Sequence, residues 1–324
     1  MSGENGSAQV RPAFILSLPR TGSTLLQRIL GSHEEIGTSS EPWFLLPQFY
    51  ALRERGVHAE YEHETMARGT RGFAREYLPG GEADYLRGVH DLALRVYAEA
   101  APGKTYFLDK TPRYHHVARD LLGLFPEGKF VFLWRHPIAV AASLIETFGD
   151  GCWNLDAYAA DLFGGLAHLV EAYAESSERA IAVRYESLVA DPDAEIRRVL
   201  RYLELGDEET AVDRFQELEL RNREYWDPTG PAKYARVSTD SLDQWQRTFA
   251  NPLRREWARR YVRWIGRERL TLMGYDLDVI LAEIDSAPVG LRRLGADAVA
   301  VASGYGKRRV RSRILGTPFP LWRP

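Results

Sequence analysis

An α/β fold with a central parallel sheet flanked by helices is predicted by two observations. Continuous apolar runs recur along the chain, as in strands buried on both faces, and each passes through a short polar turn into a segment of helical period. The chain is also long enough, at 324 residues and 45% hydrophobic content, to bury a sizeable core.

The first unit begins with the run "AFILSL" (13–18), which ends at Pro19. The turn Arg20–Thr24 follows, and Leu25, Leu26, Ile29 and Leu30 then repeat at helical spacing. In the second unit "VARDLLGLFP" reads as a helix stopped by Pro126, "KFVFLW" as a buried strand, "RHP" as a turn and "IAVAASLIETF" as a helix. A third strand, "AIAVRY" (180–185), leads into "AEIRRVLRYLEL", with Asp191 as the expected cap and Pro192 in the first helical turn. Parallel sheets bind ligands at the carboxyl ends of their strands, and the turns at Arg20, Arg135 and Tyr185 all fall at such ends.

The rest of the chain divides around this frame. Residues 1–12 are polar and glycine-rich and are expected to be disordered, with no segment of signal-peptide type. The main domain is drawn over 13–285, with a mainly helical insertion at 48–104 that covers the site. From 286 to 324 a basic C-terminal extension is expected. From Pro288 onward it holds eight Lys or Arg against one acid, a net of +7, leaving −10 for the remainder. The overall charge of −3 argues against a generic nucleic-acid binder. A single cysteine, Cys152, excludes an internal disulfide framework, and no apolar run is long enough to span a bilayer. A soluble, cytoplasmic protein is the resulting expectation. The basic tail offers a contact with a carrier protein, a membrane surface or a second copy of the chain.

The stretch "LPRTGSTLL" has the ingredients of an anion cradle. A strand-to-helix turn aims backbone N–H groups and a helix N-terminus at one point. Gly22 lets the backbone come close, Thr21, Ser23 and Thr24 add hydroxyls, and Arg20 adds a full charge with a planar fork. The lysine that a triphosphate loop carries after its second glycine is missing; the cation stands in front instead. In "WRHPIAVAASL", Arg135 lies at a strand end and Ser143 follows two helical turns later. If the helix starts near Pro137, the two make a second anion pocket, separate from the first. Two pockets on one sheet suggest a ligand carrying two phosphates.

These motifs resemble the paired signatures of sulfotransferases that use 3′-phosphoadenosine-5′-phosphosulfate (PAPS), in motif style nearest the tyrosyl-protein, glycan-type and bacterial branches. "VRYESLVADPDAEIRRVLRYLEL" is similar to that family's next segment, and "YARVSTDSLDQWQ" (234–246) to a later loop that closes over the nucleotide. The resemblance runs from about Phe14 to Tyr275 and implies a P-loop-like sulfotransferase fold. It implies that Arg20, Thr21, Gly22, Ser23 and Thr24 grip the 5′-phosphosulfate. Arg135 and Ser143 would hold the 3′-phosphate, and Tyr185, Arg236 and Ser238 would complete the nucleotide site. It further implies that Glu41, 21 residues after Arg20, is the general base and that Lys110 in "FLDKTPRY" stabilises the transferring group, with Arg20. A carboxylate followed by Pro42 and Trp43 is expected to be partly desolvated and so a stronger base.

His115 and His116 are the runner-up bases; the cytosolic branch has its histidine two residues after the lysine, where this chain has Pro112. His33 and His136 read as structural. No His/Cys/Asp group shows metal-ligand spacing, so no metal is expected. The implied reaction transfers SO3 from PAPS to a hydroxyl or amine of a small-molecule, lipid or natural-product acceptor and releases adenosine 3′,5′-bisphosphate. Two other readings are weighed. A P-loop kinase of nucleotides or metabolites predicts a loop lysine and a Mg²⁺-binding acid, neither evident at the expected spacing. A non-catalytic nucleotide-binding protein on the same fold would lack Arg20, Lys110 and Glu41, all of which are present.

Overall fold

The structure, a computed structural model, describes residues 10–206, 215, 218, 238–239 and 242–300. Five strands form one sheet: β1 (Arg11–Ser17), β2 (Ile36–Thr38), β3 (Tyr106–Asp109), β4 (Lys129–Trp134) and β5 (Ala180–Arg184). Their spatial order is β2-β3-β1-β4-β5, and every neighbouring pair is parallel. In register, Phe14 of β1 faces Asp109 on one side and Phe130 on the other. The chain leaves β1 toward the β2 edge and leaves β4 toward the β5 edge. The crevice between the carboxyl ends of β1 and β4 is therefore the switch point at which such sheets hold ligands.

The strands alternate between two cores. Phe14 and Leu16 point into one, with Phe130, Phe132 and Trp134; Ala13 and Ile15 point into the other, with Val131 and Leu133. Helices α1 (Ser23–Gly31), α8 (Tyr185–Ala190) and α9 (Pro192–Tyr202) cover the second core with Leu26, Ile29, Leu188 and Val199. The first core is larger. It is covered by α2 (Leu45–Tyr50), α4 (Glu82–Ala100), α5 (Ala118–Leu124), α6 (Pro137–Gly149) and α7 (Leu166–Ser176). Helices α10 (Gln244–Thr248), α11 (Pro252–Leu272) and α12 (Leu277–Ser286) add further apolar surface to it. At its centre Phe14 stacks on Phe130 (5.3 Å) and meets Phe125 (5.2 Å) and Tyr97 (6.5 Å). Burying each such ring contributes roughly 1.5–3 kcal/mol. The remaining helix, α3 (His63–Tyr77), lies with α4 in the stretch read as the helical insertion.

Helix starts follow their local chemistry. Asp191 accepts a hydrogen bond from Ala194 N with Pro192 in the first turn, as expected from the sequence. His136 caps α6 through Nδ1, which accepts from Ala139 N, and Asn251 caps α11 by accepting from Arg254 N.

Both outer boundaries shift. Arg11 and Pro12, expected in the disordered N-terminus, are the first residues of β1, because Arg11 N donates to Thr105 O and the strand pairs from there. Residues 286–300, expected as extension, pack on the body. Gly290 N donates to Ala250 O, and Asp297, almost wholly buried, binds Arg254 Nε (2.6 Å) and Asn251 Nδ2 (2.7 Å). Arg254 also donates to Thr248 O and Gly151 O. The remainder of the tail lies outside the described residues. No helix among the described residues is long and apolar enough to cross a membrane.

Candidate active site

The turn from β1 into α1 is a left-handed knot. Arg20 (φ 69) and Gly22 (φ 93) both take positive φ, and Gly22 O accepts from Leu25 N and Leu26 N, which starts the helix. Thr21 Oγ1 donates to Leu18 O (2.9 Å), so this hydroxyl fastens the turn to the strand end. Ser23 and Thr24 open α1, so its N-terminus, with N–H groups that have no partner within the helix, stands at the β1 strand end. Tyr185 packs its ring on Gly22, where an added Cβ would lie 2.4 Å from Tyr185 Cδ2. Gly22→Ala is therefore expected to cost about 1–3 kcal/mol from backbone strain and overpacking. Thermal unfolding should show a lowered Tm, and an unchanged Tm would overturn this account of the glycine.

The turn from β4 into α6 faces the first. Arg135, only 9% exposed, donates from a guanidinium nitrogen to Arg20 O (3.0 Å) and lies over the Tyr185 ring (4.3 Å). Burial pushes the Arg135 guanidinium below its usual pKa, Tyr185 and Glu186 oppose that shift, and Arg20 adds to it. α6 starts at Pro137, as the Ser143 assignment requires, yet Ser143 Oγ accepts from Arg20 Nε (3.2 Å). The two expected anion pockets are thus joined through Arg20, its side chain on Ser143 and its carbonyl under Arg135. Glu186 ties the neighbouring ends: Oε1 accepts from His136 N (2.8 Å) and Oε2 from Tyr275 OH (2.7 Å).

On the other side of β1, the ends of β2 and β3 bring Glu41 to Lys110. Lys110 Nζ donates to Glu41 Oε1 at 2.7 Å, with the lysine side chain nearly buried and the glutamate 19% exposed. Trp43 Nε1 donates to Glu41 Oε2 (3.3 Å). Pro42 and Trp43 mark partial desolvation of Glu41 in the sequence, whereas its ion pair with Lys110 has no local signal there.

Several positioning residues were missed in the sequence. Gln27 Nε2 donates to Thr38 Oγ1 and Ser39 O (both 2.8 Å), which ties α1 to the segment leading to Glu41. Thr111 Oγ1 donates to Asp109 Oδ1 (3.0 Å) and accepts from Trp43 N (3.3 Å), which ties the Lys110 segment to the Glu41 segment. Asp109 is wholly buried and accepts from Tyr97 OH (2.6 Å) and Tyr114 OH (2.9 Å). Only the buried acid in "LDKTP" could have signalled this network.

Burial raises the pKa of Asp109 to about 6 from 3.8, although its hydroxyl donors and Lys110 pull it down. The folded state thus holds this proton more tightly than the unfolded chain does. Its contribution to stability is full below about 3.8 and is lost as pH rises through about 6. Asp109→Asn is expected to remove a slope of up to about 1.4 kcal/mol per pH unit between these values. Denaturant titration of both proteins across pH 4 to 6 checks this, and identical slopes would overturn it.

The runner-up bases are engaged elsewhere. His115 is fully buried; its Nδ1 donates to Pro112 O (2.8 Å), and Nε2 lies 3.0 Å from Asp161 Oδ1. Burial and the neighbouring His115 push the His116 pKa down to about 3. His33 Nδ1 accepts from Glu35 N, a structural role like that of His136. Ser238 is half-buried, and Arg236 lies outside the described residues.

A positive-φ turn at the switch point of a parallel sheet, with a buried lysine paired to a partly exposed glutamate at the adjoining strand ends, defines an α/β protein whose candidate site lies at the carboxyl ends of its strands. The chain belongs to the sulfotransferase family, whose model matches residues 12–210, a span that holds both turns, Glu41 and Lys110. It is 35% identical over 211 residues to the nodulation protein NoeE of Sinorhizobium fredii (strain NBRC 101917 / NGR234), covering 58% of this chain and 48% of that one. It is 24% identical over 300 residues to a protein-tyrosine sulfotransferase of Drosophila melanogaster, covering 91% and 53% respectively. The chain spans about half the length of these two relatives. Among solved structures, the sulfotransferase domain from the Synechococcus PCC 7002 olefin synthase shares the fold. Its TM-score is 0.51 at 22% identity, over 76% of this chain and 91% of that one.

Proposed function

We propose that this protein transfers the sulfuryl group of PAPS to a hydroxyl or amine of a small-molecule, lipid or natural-product acceptor. The observation that carries this reading is the junction of Arg20, Ser143 and Arg135 at the switch point, beside the Glu41–Lys110 pair. The Gly22 cradle and α1 suit the 5′-phosphosulfate, and Arg135 and Ser143 suit the 3′-phosphate, with Tyr185 against the nucleoside. Ser238 and Arg236 are assigned to the closing loop. The acceptor oxygen attacks sulfur as its proton passes to Glu41. The bridging S–O bond breaks, and its electron pair stays on the 5′-phosphate of adenosine 3′,5′-bisphosphate. Arg20 and Lys110 stabilise the charge that develops on the transferring and leaving oxygens. The cations this step uses are side chains.

Beside Arg20 stand Phe148, 45% exposed, and Tyr158, stacked at 5.6 Å, an apolar wall that suits an acceptor with an apolar body. A cytoplasmic location fits the lone Cys152, which is exposed. Contact of the basic tail with a carrier protein, a membrane surface or a second copy belongs to the same proposal.

Calorimetric titration with adenosine 3′,5′-bisphosphate should show tight binding, and no heat above background would sink the donor assignment. Labelled PAPS incubated with a panel of hydroxylated acceptors should then yield a labelled product. ATP- and Mg²⁺-dependent phosphate transfer would favour the kinase reading instead.

A further inference from the structure

Behind the segment that follows Lys110 lies a polar cluster that the transfer chemistry does not use. His115, His116 and Asp161 each offer a ligand atom, and these atoms all lie within 4.8 Å of one another. We propose that they bind one divalent transition-metal ion of the Zn²⁺ class.

The first support is the unspent capacity of the buried atoms. His115 Nδ1–H is committed to Pro112 O, which leaves Nε2 as the lone-pair nitrogen. That nitrogen makes no aligned hydrogen bond, although Asp161 Oδ1 is only 3.0 Å away. Asp161 Oδ2 also has no hydrogen-bond partner among the described residues. Both side chains are essentially inaccessible to water, at 0% and 1% exposure. Buried atoms of this kind ordinarily have partners, and a cation placed between them would satisfy both at once.

The second support is that the surroundings are shaped around the cluster. Arg113 donates to Asp161 Oδ1 (2.7 Å), which orients the carboxylate as an outer-shell partner does and leaves Oδ2 without a hydrogen-bond partner among the described residues. Asp161 sits on a π-helical turn, Ala160–Gly165, a local widening that recurs at functional sites. Gly165 closes the same turn over His115, where a Cβ would fall 2.4 Å from the imidazole Cδ2. Two imidazoles and a carboxylate match the donor preference of Zn²⁺, Co²⁺ or Ni²⁺ and leave a fourth position open. Around a tetrahedral ion the donors would stand about 3.5 Å apart, so the widest gap closes by about an ångström. The ion would pin the Pro112–His116 segment, continuous with Lys110, to the turn at Ala160–Gly165. Sequence spacing could not reveal the group, because Asp161 is remote from both histidines in the chain.

The test is independent of the transferase assignment. Full-length protein stripped with a chelator is titrated with Zn²⁺ by calorimetry and with Co²⁺ by visible absorption. The expected result is one equivalent per chain and a tetrahedral Co²⁺ spectrum. His115→Ala and Asp161→Asn should each weaken binding by at least about 100-fold. His90→Ala and Cys152→Ser should leave it intact. Circular dichroism checks that the variants fold; if they do not, the stoichiometry and Co²⁺ spectrum of the unmodified protein decide. No stoichiometric uptake by that protein, an octahedral solvent-like spectrum, or binding that survives both substitutions in folded protein would overturn the site.

Discussion

Replacing Arg135 by alanine is expected to weaken binding of adenosine 3′,5′-bisphosphate by roughly 2–4 kcal/mol, about 30- to 1,000-fold, as loss of a desolvated charge-assisted contact does. The size follows from placement. The guanidinium is 9% exposed and lies at the switch point, where water screens it poorly. It also holds Arg20 O and rests on Tyr185, the ring that packs on Gly22, so its removal loosens both turns together. Arg135→Lys should fall between the two, since it keeps the charge but loses the planar fork. Calorimetry measures the affinities, and melting without ligand separates lost contact from lost fold. An alanine variant that folds and binds with undiminished affinity would remove Arg135 from the phosphate site.

Glu41→Gln is expected to lower turnover about 100-fold or more while bisphosphate affinity stays the same. The amide side chain would keep an oxygen for Lys110 and the approximate volume, but it could not take the acceptor's proton. The present pair has a mechanistic corollary. Glu41 Oε1 accepts from Lys110 and Oε2 from the Trp43 indole, so an acceptor hydroxyl would be received at a remaining lone pair of either oxygen or would displace one of these two donors. Single-turnover rates with labelled PAPS and any accepted substrate separate the chemical step from product release. Unchanged turnover would refute the assignment of the base. His115, buried and committed to Pro112, would be poorly placed to inherit the role.

The sheet's working edge was legible in the sequence because its strands are long apolar runs and its turns are marked by Pro, Gly and Arg. Those signals are local, and β1, β4, β5, α6 and α9 carry them in full. β2 and β3 escaped because three and four residues are too few to establish a period; β3 borrows its order from β1, and β2 from β3. Site residues divided in the same way. Arg20, Gly22, Arg135, Glu41 and Lys110 lie in local motifs. The partners of Ser143, Glu41 and Asp109 depend on pairings across the chain that no spacing encodes. Ser143 and Arg135 pair on the sequence alone because they lie close together in the chain, at the β4 end and on α6; Arg20 reaches Ser143 across the crevice from β1.

The lock between Arg254 and Asp297 bears on how far this chain can be trimmed. A truncation at residue 285, the natural cut by composition, would remove the carboxylate that bonds Arg254, a residue only 3% exposed. Breaking a buried pair in this way costs about 3–5 kcal/mol, a large part of a domain's net stability. A chain cut at 285 is therefore expected to be markedly less stable than one that keeps Asp297, and the acid that makes the difference sits inside the most basic stretch of the chain.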